Sequence, residues 1–280
     1  MGHDEYWSAE QRSAVEAARD SGVNLMFWSG NEVYWKTRWA DSIDGSGDGY
    51  RTLISYKETN QDAKVDPSNE WTGLWRDLRF TNGTESIVPE NALTGTFYWV
   101  DYDRKTPVHS LVVTSDYADM PIWRNTAVSA LQPGQSISYP ELIGYEWDVV
   151  ASNGFNPATL ITMSSTSIQS DAVLQDQYAK VLSLDTATHS ITLYKAESGA
   201  LVFGAGTVMW AWALDDEHAL GPNGTGGNGT AQADIQQAMI NLFADMGVLP
   251  ETLQSNLVEG GSFGDDTAPT VDAYTTETAF

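Results

Sequence analysis

The 280-residue sequence sets 38 acidic side chains against 14 basic ones, a formal net charge of −24. A surface this negative repels phosphate backbones and anionic lipid, which argues against nucleic-acid binding. Cysteine is absent, and with it disulfides, thiolate metal sites and every thiol nucleophile; no apolar run approaches a membrane span and no basic-apolar leader opens the chain.

In chain order, Ser8 with Gln11 fits an S-x-x-Q capping box and Gly22 supplies a stop, so the spacing predicts a helix between them with Gln11, Ala14, Val15 and Ala18 on its apolar side. "VNLMFWSG" (Val23 to Gly30) reads as a buried strand, continuous rather than alternating, as parallel sheets prefer. Helix then strand is the second half of a βαβ unit. Its first strand should precede "GHDEYW", where only Met1 and Gly2 stand, so the chain is expected to be a piece of a longer protein. The segments "RTLISYKET", "GTFYWVDY", "HSLVVTSD", "DVVAS", "ATLITMSSTS", "AKVLSLD" and "HSITLYKAE" then read as short strands between turns. "GALVFGAGTVMWAWAL" returns to a buried core strand, and "GPNGTGGNGTA" is a loop by composition. Ile235, Ala238, Met239, Leu242, Phe243 and Met246 form an apolar helical stripe that Gly247 and Pro250 close. From Gly260 the tail is rich in Asp, Thr and Ala, a linker by composition.

Two polar-aromatic clusters are placed at one sheet edge, because loops after strand C-termini build the sites of open α/β sheets. The first is His3, Asp4, Glu5, Tyr6 and Trp7; the second is "SGNEVYWKTRW", with Asn31, Glu32, Tyr34, Trp35, Arg38 and Trp39. Each also has a plain structural reading. Asp4 and Glu5 favour the positive end of a helix, Trp7 staples it, Trp35 and Trp39 pack the strand-rich region, and Arg38 pairs with a carboxylate or stacks on a ring. A third group holds Glu70, Trp75, Arg76, Asp77, Glu90 and Asn91, with Glu90 either a cap or an inward ligand. "GYEWD" and "WALDDEH" complete the set, and Asp215, Asp216 and His218 in the latter have metal-ligand chemistry. G-x-S-x-G, phosphate-loop and H-E-x-x-H motifs are missing.

Taken together, "GHDEYWS", "GVNLMFWSGNEVYW", "WRDL", "PENALTG", "GYEWD", "GTVMWAWALDD" and "QQAMINLFADMG" resemble a known family, from His3 to about Gly247: the C-terminal domain of the N,N-dimethylformamidase large (beta) subunit. The resemblance implies an α/β fold: a flavodoxin-like, class I glutamine-amidotransferase-like three-layer core, N-terminally truncated here, with a strand-rich β insertion. It implies residues 1–250 as this domain and 251–280 as linker and the start of an immunoglobulin-like module. Relatives of this kind are often segments of exported bacterial proteins, so an extracellular or cell-surface location and covalently linked neighbouring domains follow from it. With no cysteine, the amidotransferase nucleophile is gone.

The resemblance further implies a mononuclear iron held by two tyrosines and a glutamate, hydrolysing a small amide; phenolate and carboxylate oxygens suit such an ion. On this chain Tyr6 matches one tyrosine, and Glu90 and Glu70 compete for the glutamate. His3, Glu5 and Asn31 become catalytic or substrate-orienting groups, with Trp7, Glu32, Tyr34, Trp35 and Arg38 lining the pocket. The competing expectation is a non-catalytic module in which Trp35, Trp71 and Trp75 contact carbohydrate or a partner.

Overall fold

Ser8 does what its sequence position predicts: its hydroxyl accepts the Gln11 N–H at 3.2 Å and caps the first long helix. The computed structural model describes residues 3–80, 88–102, 108–216 and 230–261. His218, the glycine-rich stretch from Gly221 and the tail beyond residue 261 lie outside these, so the expectations placed on them do too.

The elements run β1 (Tyr6–Ser8), α1 (Ala9–Asp20), β2 (Leu25–Phe27), β3 (Trp35–Ala40), β4 (Thr52–Ile54), α2 (Glu58–Gln61) and α3 (Asn91–Thr94). Then come β5 (Phe97–Val100), β6 (Val108–Thr114), β7 (Ser136–Gly144), β8 (Trp147–Val149), β9 (Ile161–Thr162) and β10 (Thr166–Leu174). β11 (Leu182–His189), β12 (Thr192–Lys195), β13 (Leu201–Gly204) and α4 (Ala233–Asp245) complete the chain. Among the described residues the strands form four small sheets, ordered β1-β3-β4, β11-β10-β5-β8, β2-β13-β12-β9 and β6-β7. The architecture is mixed α/β, strand-rich and without a barrel. Two pairings are parallel, β1 with β3 and β2 with β13; the rest are antiparallel.

Two local expectations are corrected. Helix α1 ends as predicted, with the Gly22 N–H on Arg19 O and the Val23 N–H on Ala18 O around a left-handed Gly22. Its inward face, however, is turned: Gln11 and Ala14 are exposed and Arg12 is buried. The Arg12 guanidinium donates to Val88 O at 2.6 Å and Pro89 O at 3.2 Å and lies 4.7 Å over the Trp75 ring. A charge with that many partners can go inside where a lone one cannot. Second, a strand forms within the "EYWS" motif itself: β1 pairs with β3, and β2 pairs parallel with β13 as its continuous apolar run suggested.

Three hydrophobic clusters hold the sheets together. The largest surrounds Trp123, Trp147 and Trp210, all at most 1% exposed, and takes Ile235, Ala238, Met239 and Leu242 from α4, the predicted stripe. A second packs Trp7, Phe27, Val33 and Trp75 under α1; the third gathers Tyr34, Trp35 and Tyr98, with Tyr6 against them. No helix among the described residues is long and apolar enough to cross a membrane.

Candidate functional site

The two N-terminal clusters meet through main-chain bonds. Val33 N–H donates to Asp4 O at 2.9 Å, and Tyr34 and Trp35 N–H donate to Glu5 O at 2.9 and 2.6 Å. This seam brings the "HDEYW" and "GNEVYW" segments side by side. The loop is strained, since Asn31 and Val33 both sit at φ 53°, and a β-branched residue is rare there. Gly30 makes the approach possible: a Cβ on it would lie 3.1 Å from the Thr207 backbone. Gly144 plays the same part at the end of β7, where a Cβ would run into the Met209 side chain.

Asn31 organises the polar groups. Its backbone N–H donates to Asp148 Oδ1 at 2.9 Å, and its side-chain Nδ2 donates to Glu146 Oε2 at 2.8 Å and Glu5 Oε2 at 3.4 Å. Asp148 is fixed further by the Thr96 hydroxyl at 2.7 Å. His3 Nδ1 lies 3.4 Å from Glu146 Oε2, with 31% and 17% of the two side chains exposed. His3, Glu5 and Asn31 are thus brought together around Glu146, a residue of the "GYEWD" motif to which sequence reading gave no role. Glu146 and Tyr145 form the two-residue link between β7 and β8. An acid flanked by aromatic residues in a tight inter-strand link is the one local signal that could have marked it.

Burial sets the electrostatics. Glu146 is pushed up to about 7 by desolvation, against the hydrogen bond from Asn31, and Asp148 up to about 6. Burial and the neighbouring Glu146 charge raise Glu5. Glu32, 5% exposed, is raised well above a normal carboxyl by burial, Asp148 and Asp4, and its Oε2 has no partner among the described residues. His3 is lowered, burial being the first cause, so its ring is the neutral form at neutral pH.

The remaining candidates sit around this centre or away from it. Tyr34 is 4% exposed and its hydroxyl has no partner among the described residues, its ring 4.9 Å from that of Tyr98 and 5.3 Å from that of Trp35. Burial raises both tyrosines far above the ordinary phenol range. Tyr6 packs against this group, with Lys57 Nζ 5.1 Å above its ring and 4.6 Å from that of Trp35. Trp7, at 3% exposure, is core. Arg38 is bound to Asp66 at 2.7 and 2.9 Å, the carboxylate-partner alternative. Glu90 stands at the N-terminus of α3 without making a capping bond and turns inward. There it pairs with Arg76 through both oxygens and accepts the Tyr98 N–H at 3.3 Å. Glu70 is 41% exposed and pairs with the buried Lys36 at 3.4 Å. Among the described residues no three His, Asp or Glu side chains converge as metal ligands do. Asp216 accepts the Ala231 N–H.

The arrangement is that of a mixed α/β protein with a carboxylate, phenol and amide site where two loops meet at the ends of short strands. The family comparison gives this class its place: the sequence matches the N,N-dimethylformamidase beta subunit-like, C-terminal family over residues 1–226, and the chain belongs to that family. No curated protein matches it.

Proposed function

We propose that this chain is the site-bearing domain of an amide hydrolase, cleaving a small C–N bond with Glu146 as the proton-transferring group. The observation that carries the reading is Glu146 itself: a carboxyl at about 7, part exposed, held by Asn31 and next to His3. A general base is most effective when its pKa lies near the working pH. Glu146 takes a proton from water as the water oxygen adds to the amide carbon. As the C–N bond breaks, the same proton passes to the departing nitrogen, giving carboxylate and amine. Asn31 holds Glu146 and Glu5 in register, and burial with the Asp101 charge favours the protonated Glu146 carboxyl needed for the second step.

Iron enters this reading through the resemblance alone. Glu90 has both oxygens on Arg76, and the Tyr6 ring lies beneath Lys57. Tyr6 and either Glu90 or Glu70 are the residues the resemblance names for such an ion, which would polarise the amide carbonyl, and no step is routed through it. The parallel pairings β1–β3 and β2–β13 support the finer fold reading, a flavodoxin-like core with antiparallel additions. An exported, multidomain parent is part of the same proposal and rests on motif likeness. The carbohydrate-binding alternative fares less well: Trp35, Trp71 and Trp75 are 7%, 4% and 6% exposed and offer no stacking face.

The test is amine release from a panel of short N-alkyl and N,N-dialkyl amides by the protein carrying this chain. Glu146→Gln is expected to lower the rate about 10²–10⁴-fold, and the wild-type profile to rise through a limb near pH 7. An unchanged rate in the variant removes Glu146 from the mechanism; no amine from any amide removes the hydrolase reading.

A further inference from the structure

One side of the Glu146 site is a row of rings. The His3 and Tyr145 centroids are 5.6 Å apart, and those of Tyr102 and Tyr145 5.7 Å. The His3 side chain is 31% exposed, and Tyr102 and Tyr145 are likewise partly exposed. Against this row stand the Glu146 and Glu5 carboxylates, bridged by the Asn31 amide.

Asn31 adds an independent sign of what is wanted there. The residue is 4% exposed, and its Oδ1 accepts nothing among the described residues. Once Glu146 and Glu5 are ionised, above about pH 7 for Glu146, the amide cannot be reversed to cure this, because that would set its oxygen against two carboxylates. What the site lacks is therefore a donor beside two acids. His3 does not supply a charge, being held neutral by burial. Lys57 is occupied over the rings of Tyr6 and Trp35.

We propose that this site binds an alkylammonium group, so that its ligands are small organic cations. Aromatic faces together with carboxylates are the surroundings in which such cations bind, through ring quadrupoles and direct charge pairing. An anion would meet two acids, and a neutral alkyl group would leave them and Asn31 Oδ1 unanswered. The net charge of −24 concentrates cations near the surface and opposes anions. Resting on the hydrolase reading, the corollary is that amides bearing a positive charge are cleaved in preference to neutral ones of the same size.

Binding is measured by calorimetric and NMR titration with tert-butylammonium chloride, whose N–H groups can donate to Asn31 Oδ1, holding ionic strength constant with sodium chloride. tert-Butanol serves as the neutral molecule of similar shape. Saturable binding of the cation alone is expected, weakened about tenfold or more in Tyr145→Leu and in Glu146→Gln. Circular dichroism of both variants checks that they fold, and Tyr102→Leu offers a milder change on the same row. Absent saturation, equal binding of tert-butanol, or affinity unmoved in the folded variants overturns the proposal. If amides are cleaved but tert-butylammonium does not bind, this inference alone fails. Binding without cleavage leaves it standing and removes the hydrolase reading.

Discussion

Glu146 and His189 illustrate how single groups here tie stability to pH in opposite senses. An ordinary glutamate titrates near 4.5, and burial raises Glu146 to about 7. Between those values the folded chain keeps a proton that the unfolded chain has released. The contribution of Glu146 is therefore full below about pH 4.5 and is lost as pH rises through about 7. His189 is buried, its Nε2 donates to Ala205 O at 3.0 Å, and burial pushes it from 6.5 down to about 4. Its contribution is present above 6.5 and lost as pH falls through about 4. Because the two overlap, the difference between wild type and Glu146→Gln is the informative quantity. Urea midpoints taken from about pH 5 to about pH 8 should fall less in the variant, which keeps the shape and loses the titration. Parallel curves would mean that Glu146 titrates like an exposed carboxyl, and its suitability for proton transfer would go with that.

At the scale of elements, the Arg76–Glu90 pair links the segment after β4, the start of α3 and strand β5. Both residues are 1% exposed, Arg76 donates to Tyr98 O at 2.9 Å, and its guanidinium lies 3.6 Å from the Phe97 centroid. Removing one partner of a buried pair strands the other charge. Glu90→Ala is thus expected to cost about 3–5 kcal/mol, while Glu90→Ala combined with Arg76→Met costs clearly less than the single change. Denaturant unfolding of the three variants measures this; equal losses for single and double variants would show that Glu90 acts apart from Arg76. The pair also explains what was legible. Ser8, Gly22 and the α4 stripe announce themselves by local spacing, whereas the two loop clusters meet through the β1–β3 pairing and the bonds to Asp4 O and Glu5 O, which no local pattern marks. Nothing nearby in the sequence marks the burial of Arg12, Lys36 and Arg76. Their partners come from remote segments: Val88 and Pro89 for Arg12, Trp71 for Lys36, Glu90 for Arg76. Strand β7 escaped for another reason. Pro140 lies within it and Glu141 is at φ 57°, and proline in a strand argues against one unless it lies at a sheet edge, as β7 does beside β6.

For the molecule as a whole, the charge balance decides how it answers to salt. Against a net −24, many of the few cations are already taken up in ion pairs. Arg38 holds Asp66, Arg76 holds Glu90, Arg124 holds Asp245, and Lys180 and Arg79 share Asp62. The acids far outnumber the cations, and the surplus repels itself more in the compact chain than in the extended one. Salt shortens the reach of that repulsion from about 10 Å at 0.1 M to about 3 Å at 1 M. It also weakens the exposed pairs, but those contribute only about 0–1 kcal/mol each, whereas buried ones such as Arg76–Glu90 are screened little. Repulsion is the larger salt-sensitive quantity, so the melting temperature should climb steadily between about 10 mM and about 1 M sodium chloride. Calorimetric scans at fixed pH test this. A fall with salt would mean that the surface pairs, Lys180–Asp62–Arg79 foremost, hold the fold more strongly than the surplus charge strains it.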